Sequence, residues 1–224
     1  MITAERKPFE EIYASARRHR KILVLGCGTC VTVCMAGGQT EAEVLASQLT
    51  LAARENGDNL EIEVRTITRQ CDREFFDDET ARLIGEADAV VSMACGVGVQ
   101  YCGECFEDSI VYPALNTQFF GANLAQGVWA ERCAGCGECI LESTVGVCAL
   151  ARCAKNLLNG PCGGSQDGKC EVDEQQDCAW QLIFDRMKAF GRLEDFGRIR
   201  APKDWSHSGS GGPRKTVRED VTIQ

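Results

Sequence analysis

The sequence predicts an α/β protein, with a small open parallel sheet of the flavodoxin or Rossmann type, then a cysteine-rich module and a C-terminal helix. Apolar runs alternate with amphipathic stretches in the order β-α-β-α-β over the first hundred residues, which is typical of parallel sheets. Eight of the fifteen cysteines then fall between positions 133 and 178. After the last of these cysteines, apolar residues recur at the spacing of a helix face, at Trp180, Ile183, Phe184 and Met187. These observations predict two chemically different halves.

Three strands are predicted for the parallel sheet. Residues 21–25, Lys-Ile-Leu-Val-Leu, form a continuous apolar run of the kind found in a strand buried on both faces. Residues 60–67 largely alternate, which indicates a strand with one wet face at the sheet edge. Residues 87–93 read as the third strand. An edge position for the second strand predicts the flavodoxin-like order 2-1-3.

Helices are predicted between and around these strands. Residues 9–18 form a short amphipathic helix that leads into the first strand. Thr40 and Glu43 have the spacing of a capping box at the start of a helix that ends at Gly57. Two further helices are predicted at 77–86 and 99–109.

The remainder of the chain carries weaker patterns. Residues 112–126 read as irregular, with one short strand near Phe119 and Phe120, and the domain boundary is placed near Gly127. A closing helix is predicted at 173–190, and the serine- and glycine-rich end reads as a flexible or partner-draped tail. The predicted divisions are an α/β domain at 1–127, a cysteine-rich module at 128–200 and the tail at 201–224.

Composition narrows the classes of function. The net charge is −9, and the one basic run, at 17–21, is short, so a nucleic-acid partner is not expected. No stretch has the roughly 20 apolar residues of a membrane span, and the N-terminus lacks the apolar core of a signal peptide. A cytoplasmic location is therefore predicted, where cysteines stay reduced and indicate metal rather than disulfides. His19 and His207 lie outside the cysteine clusters, so the expected metal sites are all-thiolate.

The second cysteine group contains the strongest motif. Cys133-Ala-Gly-Cys136-Gly-Glu-Cys139 lets one loop present three thiolates, as bacterial ferredoxins do around a [4Fe–4S] cluster. It predicts a ferredoxin-like iron–sulfur module in which one of Cys162, Cys170 or Cys178 completes the first cluster. The further candidate ligands in this group are Cys148, Cys153, Cys162, Cys170 and Cys178.

The first cysteine group follows the ends of the predicted strands. Because parallel strands share one carboxyl edge, cysteines distant in sequence are expected to meet there. The predicted ligands are Cys27, Cys30, Cys34 and Cys95, with Cys71, Cys102 and Cys105 as less favoured substitutes. Buried cysteine also packs as a small hydrophobic residue, an interpretation that applies best to Cys71. Neither a thioredoxin-like redox pair nor a nucleotide loop at Gly26-Cys-Gly28 is favoured.

Two or three [4Fe–4S] clusters are thus expected in all. Zinc is the alternative or an addition, because structural zinc also uses four thiolates. The triplet with two-residue gaps favours the iron–sulfur cluster over zinc, but the spacing leaves the ligand pairing open.

Several segments resemble a known family. They are Cys133-Ala-Gly-Cys136-Gly-Glu-Cys139, Arg152-Cys-Ala-Lys-Asn-Leu-Leu-Asn-Gly-Pro-Cys-Gly-Gly164, Gly168-Lys-Cys170-Glu-Val172 and Asp177-Cys-Ala-Trp180. These residues are similar to the cysteine-rich domain associated with methylenetetrahydrofolate reductase, which is fused to some reductases or forms a separate, MetV-type small subunit. The stretches 26–30 and 94–100 also resemble the N-terminal part of such subunits.

The resemblance implies a function and a partner. The partner is a TIM-barrel methylenetetrahydrofolate reductase subunit that carries FMN or FAD, and this chain passes it electrons from an upstream donor. In that role the chain is a non-catalytic electron-transfer subunit, and no acid–base residues for substrate chemistry stand out in the sequence. The competing hypothesis is a zinc-stapled structural subunit that supports the reductase barrel without a redox role.

Overall fold

The computed structural model describes residues 1–221; the last three residues of the predicted tail, 222–224, lie outside this range. In chain order, the strands and helices are β1 (Ile2–Arg6), α1 (Phe9–Ala16), β2 (Lys21–Cys27), α2 (Cys30–Val33), α3 (Gln39–Asn56), β3 (Glu61–Ile67), α4 (Asp78–Glu86), β4 (Ala89–Ser92), α5 (Gly96–Cys105), β5 (Val111–Pro113), β6 (Leu115–Ala125), β7 (Val128–Cys133), α6 (Ala149–Arg152) and α7 (Ala179–Ala189). The chain divides into two compact units, 1–130 and 131–224.

A four-stranded parallel sheet organises the first unit. Its strand order is β3-β2-β4-β5, and all three of its strand pairings are parallel. The predicted order of the first three strands, with β3 at an edge, is therefore confirmed. β5 adds a short fourth strand that the sequence pattern did not indicate.

The central strand explains the continuous apolar run. Ile22 and Val24 belong to a hydrophobic core that also contains residues of α1 and α3. Leu23 and Leu25 belong to a second core, with residues of α4 and α5. Because alternate residues of a strand point to opposite faces, both faces of β2 are covered, and a run without polar interruptions results.

A second sheet was missed in the sequence. It is three-stranded, in the order β1-β6-β7, and β1 pairs antiparallel with β6. The short strand predicted near Phe119 and Phe120 lies within β6, but the prediction that the rest of 112–126 is irregular is wrong, because β6 has eleven residues. Its residues are mostly exposed or half-buried and so lack an apolar pattern, and its partner β1 lies at the other end of the unit's sequence.

The helix starts also differ from the prediction. Glu41, not Glu43, closes the start of α3: its carboxylate accepts a hydrogen bond from the Gly38 N–H at 2.9 Å. The predicted capping box at Thr40 is therefore wrong by two residues. Helix α5 begins three residues earlier than predicted, at Gly96, and α7 begins at Ala179 rather than at 173.

The second unit has a much smaller core. The buried members of its hydrophobic cluster are Val147, Ala149, Trp180, Ile183 and Met187. Three of them lie on α7, on the face that the sequence predicted to be apolar. The ferredoxin-like iron–sulfur character of this unit remains a prediction.

No helix within residues 1–221 is both long enough and apolar enough to cross a bilayer.

Candidate metal centres

Three cysteines follow the carboxyl ends of neighbouring parallel strands. Cys27 is the last residue of β2, where it pairs with Ile67 of β3. Cys71 lies four residues beyond that strand. Cys95 lies three residues beyond β4 and is the N-terminal cap of α5. The sheet topology thus brings Cys27, Cys71 and Cys95, which we call the rim thiols, to one edge of the sheet.

The pKa of Cys71 is affected by the other two rim thiols. Desolvation raises the pKa of the Cys71 thiol above its ordinary value, and the negative charges of the Cys27 and Cys95 thiolates raise it further. The Arg69 guanidinium acts in the opposite direction. Cys27 and Cys95 are buried, whereas Cys71 is exposed, so the group is open to solvent on one side.

Cys30 and Cys34 lie on the short turn after β2. Cys30 is the first residue of α2, and the backbone N–H of Cys34 donates back to the Cys30 carbonyl at 3.2 Å. The Cys34 thiol is directed to backbone carbonyls, at 3.5 Å from Val31 O and 3.6 Å from Ala4 O. It lines a cavity of about 600 Å³ whose other walls come from β1, α3 and the β6–β7 hairpin.

The two substitutes on α5 lie away from the rim. Cys102 is fully buried in the core that contains Leu23 and Leu25, and burial raises the pKa of its thiol to about 12. Cys105 ends the helix, 3.7 Å from the Arg73 guanidinium. A ten-residue helix is about 15 Å long, so Cys105 is far from Cys95 at the opposite end.

In the second unit, Cys133 is the last residue of β7, and Cys136 and Cys139 lie on the loop that follows it. The Gly135 N–H donates to the Cys133 sulfur at 3.4 Å, and the Cys136 thiol lies 3.5 Å from the Glu138 carbonyl. Gly135 and Gly137 have φ angles of +61° and +79°, a conformation that favours glycine. The two glycines therefore let the loop turn tightly between consecutive cysteines.

Cys162 repeats this local geometry. The Gly164 N–H donates to the Cys162 sulfur at 3.5 Å, and Gly163 has a φ angle of +83°. Glu171 accepts from the Cys162 thiol at 3.2 Å and also forms an ion pair with Lys155. Lys155 is the main cause of a lowered Glu171 pKa, and the Cys162 hydrogen bond lowers it further.

The remaining four cysteines mark the ends of short elements. Cys148 and Cys153 flank the single turn of α6, and Cys178 is the N-terminal cap of α7. Cys170 and Cys178 lie on two antiparallel segments joined by the Lys169–Asp177 bridge. Cys170 N donates to Gln176 O at 2.9 Å and Cys178 N donates to Gly168 O at 2.8 Å. In this register the two cysteines occupy one face as diagonal neighbours.

A short segment after α7, residues 203–208, packs on the triplet loop; we call it the strap. The Lys203 side chain is only 3% exposed, and its Nζ donates to the Glu138 carbonyl at 2.8 Å and pairs with the Glu138 carboxylate at 3.2 Å. A Cβ at Gly137 would overlap the His207 backbone. Part of the predicted tail thus fits closely against the loop of the triplet.

The side chains available fit a thiolate-bound metal or cluster, because cysteine sulfur is the ligand that such groups prefer. Complete sets of ligands do not surround one point in the described residues. Within residues 1–221, no three His, Cys, Asp or Glu side chains are arranged to hold a single metal ion. Backbone N–H groups that point at sulfur, as at Cys133 and Cys162, are nevertheless a feature by which proteins tune such groups. The predicted ligands therefore stay predictions, and their pairing stays open.

Sequence reasoning missed the groups around these cysteines. Gln70, which is completely buried beside Cys71, carries no sequence pattern that separates it from a surface glutamine. Lys203, in the second unit, was missed for a similar reason. Lysine is almost never buried unless it is paired, so a lysine in this segment is expected to lie at the surface. Of these groups, only Lys155 could have been identified from the sequence, because it is a basic residue two positions after Cys153.

Comparison with known families concerns the second half of the chain. Residues 112–206 match the model of a family described as "Methylene-tetrahydrofolate reductase C terminal". This segment is related to that family. No curated protein and no solved structure gives a significant match to the chain.

The reductase-related segment includes all eight cysteines of the second group and the first residues of the strap. It spans fewer than half of the 224 residues, and the rim thiols lie outside it. The expected relation to methylenetetrahydrofolate reductases is confirmed at this level. The resemblance of the N-terminal stretches to MetV-type small subunits stays a prediction.

Proposed function

We propose that this chain is an iron–sulfur electron-transfer subunit of a methylenetetrahydrofolate reductase complex, of the MetV type. In this role it receives electrons from an upstream donor and delivers them to the flavin of a catalytic reductase subunit. The observation that carries the proposal is that the eight-cysteine group lies entirely within the reductase-related segment. We place this function in the cytoplasm, where the thiols remain reduced.

The chain's own residues have defined tasks in this proposal. The glycine turns after Cys133 and Cys162 direct N–H groups at sulfur. Such bonds stabilise negative charge on a thiolate and, with burial, set the potential of a bound cluster. Lys155, beside Cys162 and Glu171, adds a positive charge at the same place. These groups thus place hydrogen-bond donors and a positive charge beside the candidate ligand sulfurs.

When bound, a [4Fe–4S] cluster supplies one-electron redox chemistry. Reduction of a methylene to a methyl group on the folate takes up two electrons and two protons, so the chain has to deliver two electrons in succession. The flavin on the partner subunit joins one-electron delivery to two-electron reduction.

The test begins with protein purified without air. Iron, acid-labile sulfide and zinc are measured per chain, and the reduced protein is examined by EPR. About eight or twelve iron atoms per chain correspond to two or three clusters. The purified chain is then mixed with a flavin-containing methylenetetrahydrofolate reductase subunit, and flavin bleaching is followed after addition of a reduced one-electron donor.

The expected result is flavin reduction that depends on this chain. A zinc-loaded, iron-free chain that is EPR-silent and yet sustains folate reduction by the partner would overturn the proposal. That outcome would favour the zinc-stapled structural subunit instead.

A further inference from the structure

The cavity of about 600 Å³ beside β1 has the features of a small-molecule site; we call it the β1 cavity. It is lined by residues of β1, of the turn between α2 and α3, of the first turn of α3, and of the β6–β7 hairpin. All of these residues belong to the unit formed by residues 1–130. Its volume lies within the range of about 300–1,000 Å³ that is usual for pockets that bind small organic molecules.

Two buried polar groups of the cavity lining lack a hydrogen-bond partner. Thr3, in β1, is 7% exposed, and its hydroxyl oxygen has no partner among residues 1–221. The indole Nε1 of Trp129, in β7, is also buried and has no partner in the described part of the chain. Since buried polar groups of native proteins are almost always satisfied, two such groups at one cavity require an explanation. A bound hydrogen-bond acceptor provides one, because both groups can donate.

The charges at the cavity are unequal in their availability. The Arg6 guanidinium, at the end of β1, has no ion pair or hydrogen bond within residues 1–221. The carboxylates of the lining do have partners: Glu41 accepts from the Gly38 N–H at 2.9 Å, and Glu5 accepts from the Gln118 amide at 3.4 Å. The unpaired arginine therefore favours an anion. The two nearby carboxylates disfavour a ligand with more than one negative charge.

Aromatic side chains form part of the wall. Phe119 of β6 is paired with Thr3 of β1, so the ring and the unpartnered hydroxyl lie on the same face of the sheet. Trp129 adds a second ring from the neighbouring strand β7. The cavity thus combines hydrogen-bond donors with flat apolar surfaces, a combination that is usual in ligand pockets.

Met35, in the turn between α2 and α3, also lines the cavity. It has a φ angle of +53°, in the left-handed region that glycine usually occupies after a helix, and its side chain is 54% exposed. The Ala36 N–H donates to the Val31 carbonyl at 2.9 Å across this turn, as in a Schellman motif. A side chain here strains the backbone and gains little from burial, which a contact with a ligand explains.

We propose that the β1 cavity binds an organic monoanion of the aromatic carboxylate class. Thr3, Trp129 and Arg6 supply the donors for the carboxylate, and Phe119 and Met35 contact the ring. The proposal does not rest on the proposed function, and no ligand role of the Cys34 sulfur is needed for it.

The first experiment tests the ligand class. The full-length chain, purified without air and with its metal retained, is titrated by calorimetry with 2-naphthoate, with the neutral 2-naphthalenemethanol and with inorganic phosphate. We expect saturable one-to-one binding of 2-naphthoate, roughly 10- to 100-fold weaker binding of the alcohol, and no binding of phosphate. Equal affinity for acid and alcohol, or no saturable binding of the acid, would overturn the proposal, as would tighter binding of phosphate.

Thr3→Val gives changes of opposite sign. The variant keeps the shape of the side chain and removes the unpartnered hydroxyl, so the ligand-free protein should unfold at a higher temperature. Its affinity for 2-naphthoate should fall roughly 3- to 10-fold, because one donor to the carboxylate is lost. A destabilised variant would show that the hydroxyl already has a partner. That result, or an unchanged affinity, contradicts the proposal.

Arg6→Gln tests the charge, with Arg18→Gln as the matched control at an exposed arginine of the same unit. We expect the affinity for 2-naphthoate to fall roughly 10- to 100-fold in Arg6→Gln only, with the affinity for the alcohol unchanged. Equal losses in the two variants would show a general attraction of anions to the surface and would overturn the assignment of Arg6.

Met35→Gly tests the wall without endangering the fold, because glycine suits the left-handed turn. The unfolding temperature should be unchanged or higher, and the affinities for the acid and the alcohol should both fall roughly 3- to 10-fold through loss of apolar contact. Unchanged affinity for both compounds would contradict the placement of the ring against this turn.

Discussion

The two units hold their cysteines in opposite ways. In residues 1–130, the rim thiols follow strands of a sheet whose members β2 and β4 are covered on both faces by hydrophobic cores, and the buried Gln70 joins the ends of these two strands. In residues 131–221, the cysteines lie on turns and at the ends of short helices, around a cluster of five buried residues. The first unit has a scaffold that can form without metal. The second has too little core for this and is expected to depend on what its thiolates bind.

Removal of metal gives the largest expected difference between the units. When the protein is freed of metal anaerobically, we expect hydrogen-exchange protection to disappear at the amides of Cys170 and Cys178 and across residues 133–190. Protection in β2 and β4 should persist, because their hydrogen bonds are covered by both cores. Exchange is measured by mass spectrometry, with metal content determined on the same samples. Unchanged protection of the second unit in metal-free protein would contradict this dependence.

The glycine under the strap gives the next largest effect. Gly137 and Gly168 both have φ angles of +79°, but a Cβ at Gly137 would overlap the His207 backbone, whereas at Gly168 it would meet nothing within 4 Å. Gly168→Ala should cost about 1 kcal/mol from the backbone conformation alone. Gly137→Ala should cost roughly 3 kcal/mol because the strap must also move. Thermal unfolding of the metal-loaded variants measures the difference, and equal losses would show that the strap is not seated there.

The buried lysine of the strap should have a somewhat smaller effect. Lys203→Met keeps the apolar stem but removes the donor to the Glu138 carbonyl and the ion pair with its carboxylate. We expect a loss of about 2 kcal/mol, as for hydrogen bonds of charged groups. Lys188→Met, on the exposed side of α7, is the control. Hydrogen exchange in the strap should rise only in the Lys203 variant; similar exchange in both would refute the role of the pair.

The smallest effect concerns the start of α4, in the first unit. The Asp77 carboxylate accepts from the Thr80 N–H at 2.8 Å and pairs with Arg65 at 2.9 Å. The Thr80 hydrogen bonds, and then Arg65, lower the Asp77 pKa. Since the folded-state pKa lies below the unfolded one, the stabilisation is complete above the ordinary carboxyl pKa and is lost as the pH falls through the folded-state pKa.

Asp77→Asn is the appropriate variant because asparagine also caps helices but does not titrate. The variant should be slightly less stable than the native chain at neutral pH and should match it in strong acid. Denaturant unfolding at several pH values measures the gap, and a gap that does not narrow in acid would contradict the assignment.

Much of the first unit could be predicted because its signals are local. The uninterrupted run at 21–25 and the alternation at 60–67 reflect the burial of β2 and β3, and these patterns placed the strands in the correct order. Strand β6 could not be found in full in this way, since its residues are mostly exposed or half-buried and one of its two partners, β1, lies more than a hundred residues away. A strand without a buried face leaves no alternation of apolar and polar residues.

The placement of the cysteines in the fold could be predicted in part, but the groups around each sulfur could not. Topology alone indicates that cysteines after parallel strands reach one edge of the sheet. It does not reveal that the Cys34 thiol lies 3.6 Å from the Ala4 carbonyl, or that Cys34 is buried in the same cluster as Cys27 and Cys95, because these contacts depend on the loops after the strands. Spacing likewise identified the triplet but not the strap, whose contacts join residues 65 positions apart.

That separation has a consequence for the newly made chain. Lys203 leaves the ribosome 65 residues after Glu138, which at 5–20 residues per second is a delay of about 3 to 13 s. During translation, Cys133, Cys136 and Cys139 therefore remain uncovered for several seconds. In this interval the three thiols are accessible to a metal donor, and the strap can pack on their loop only after it has itself been synthesised.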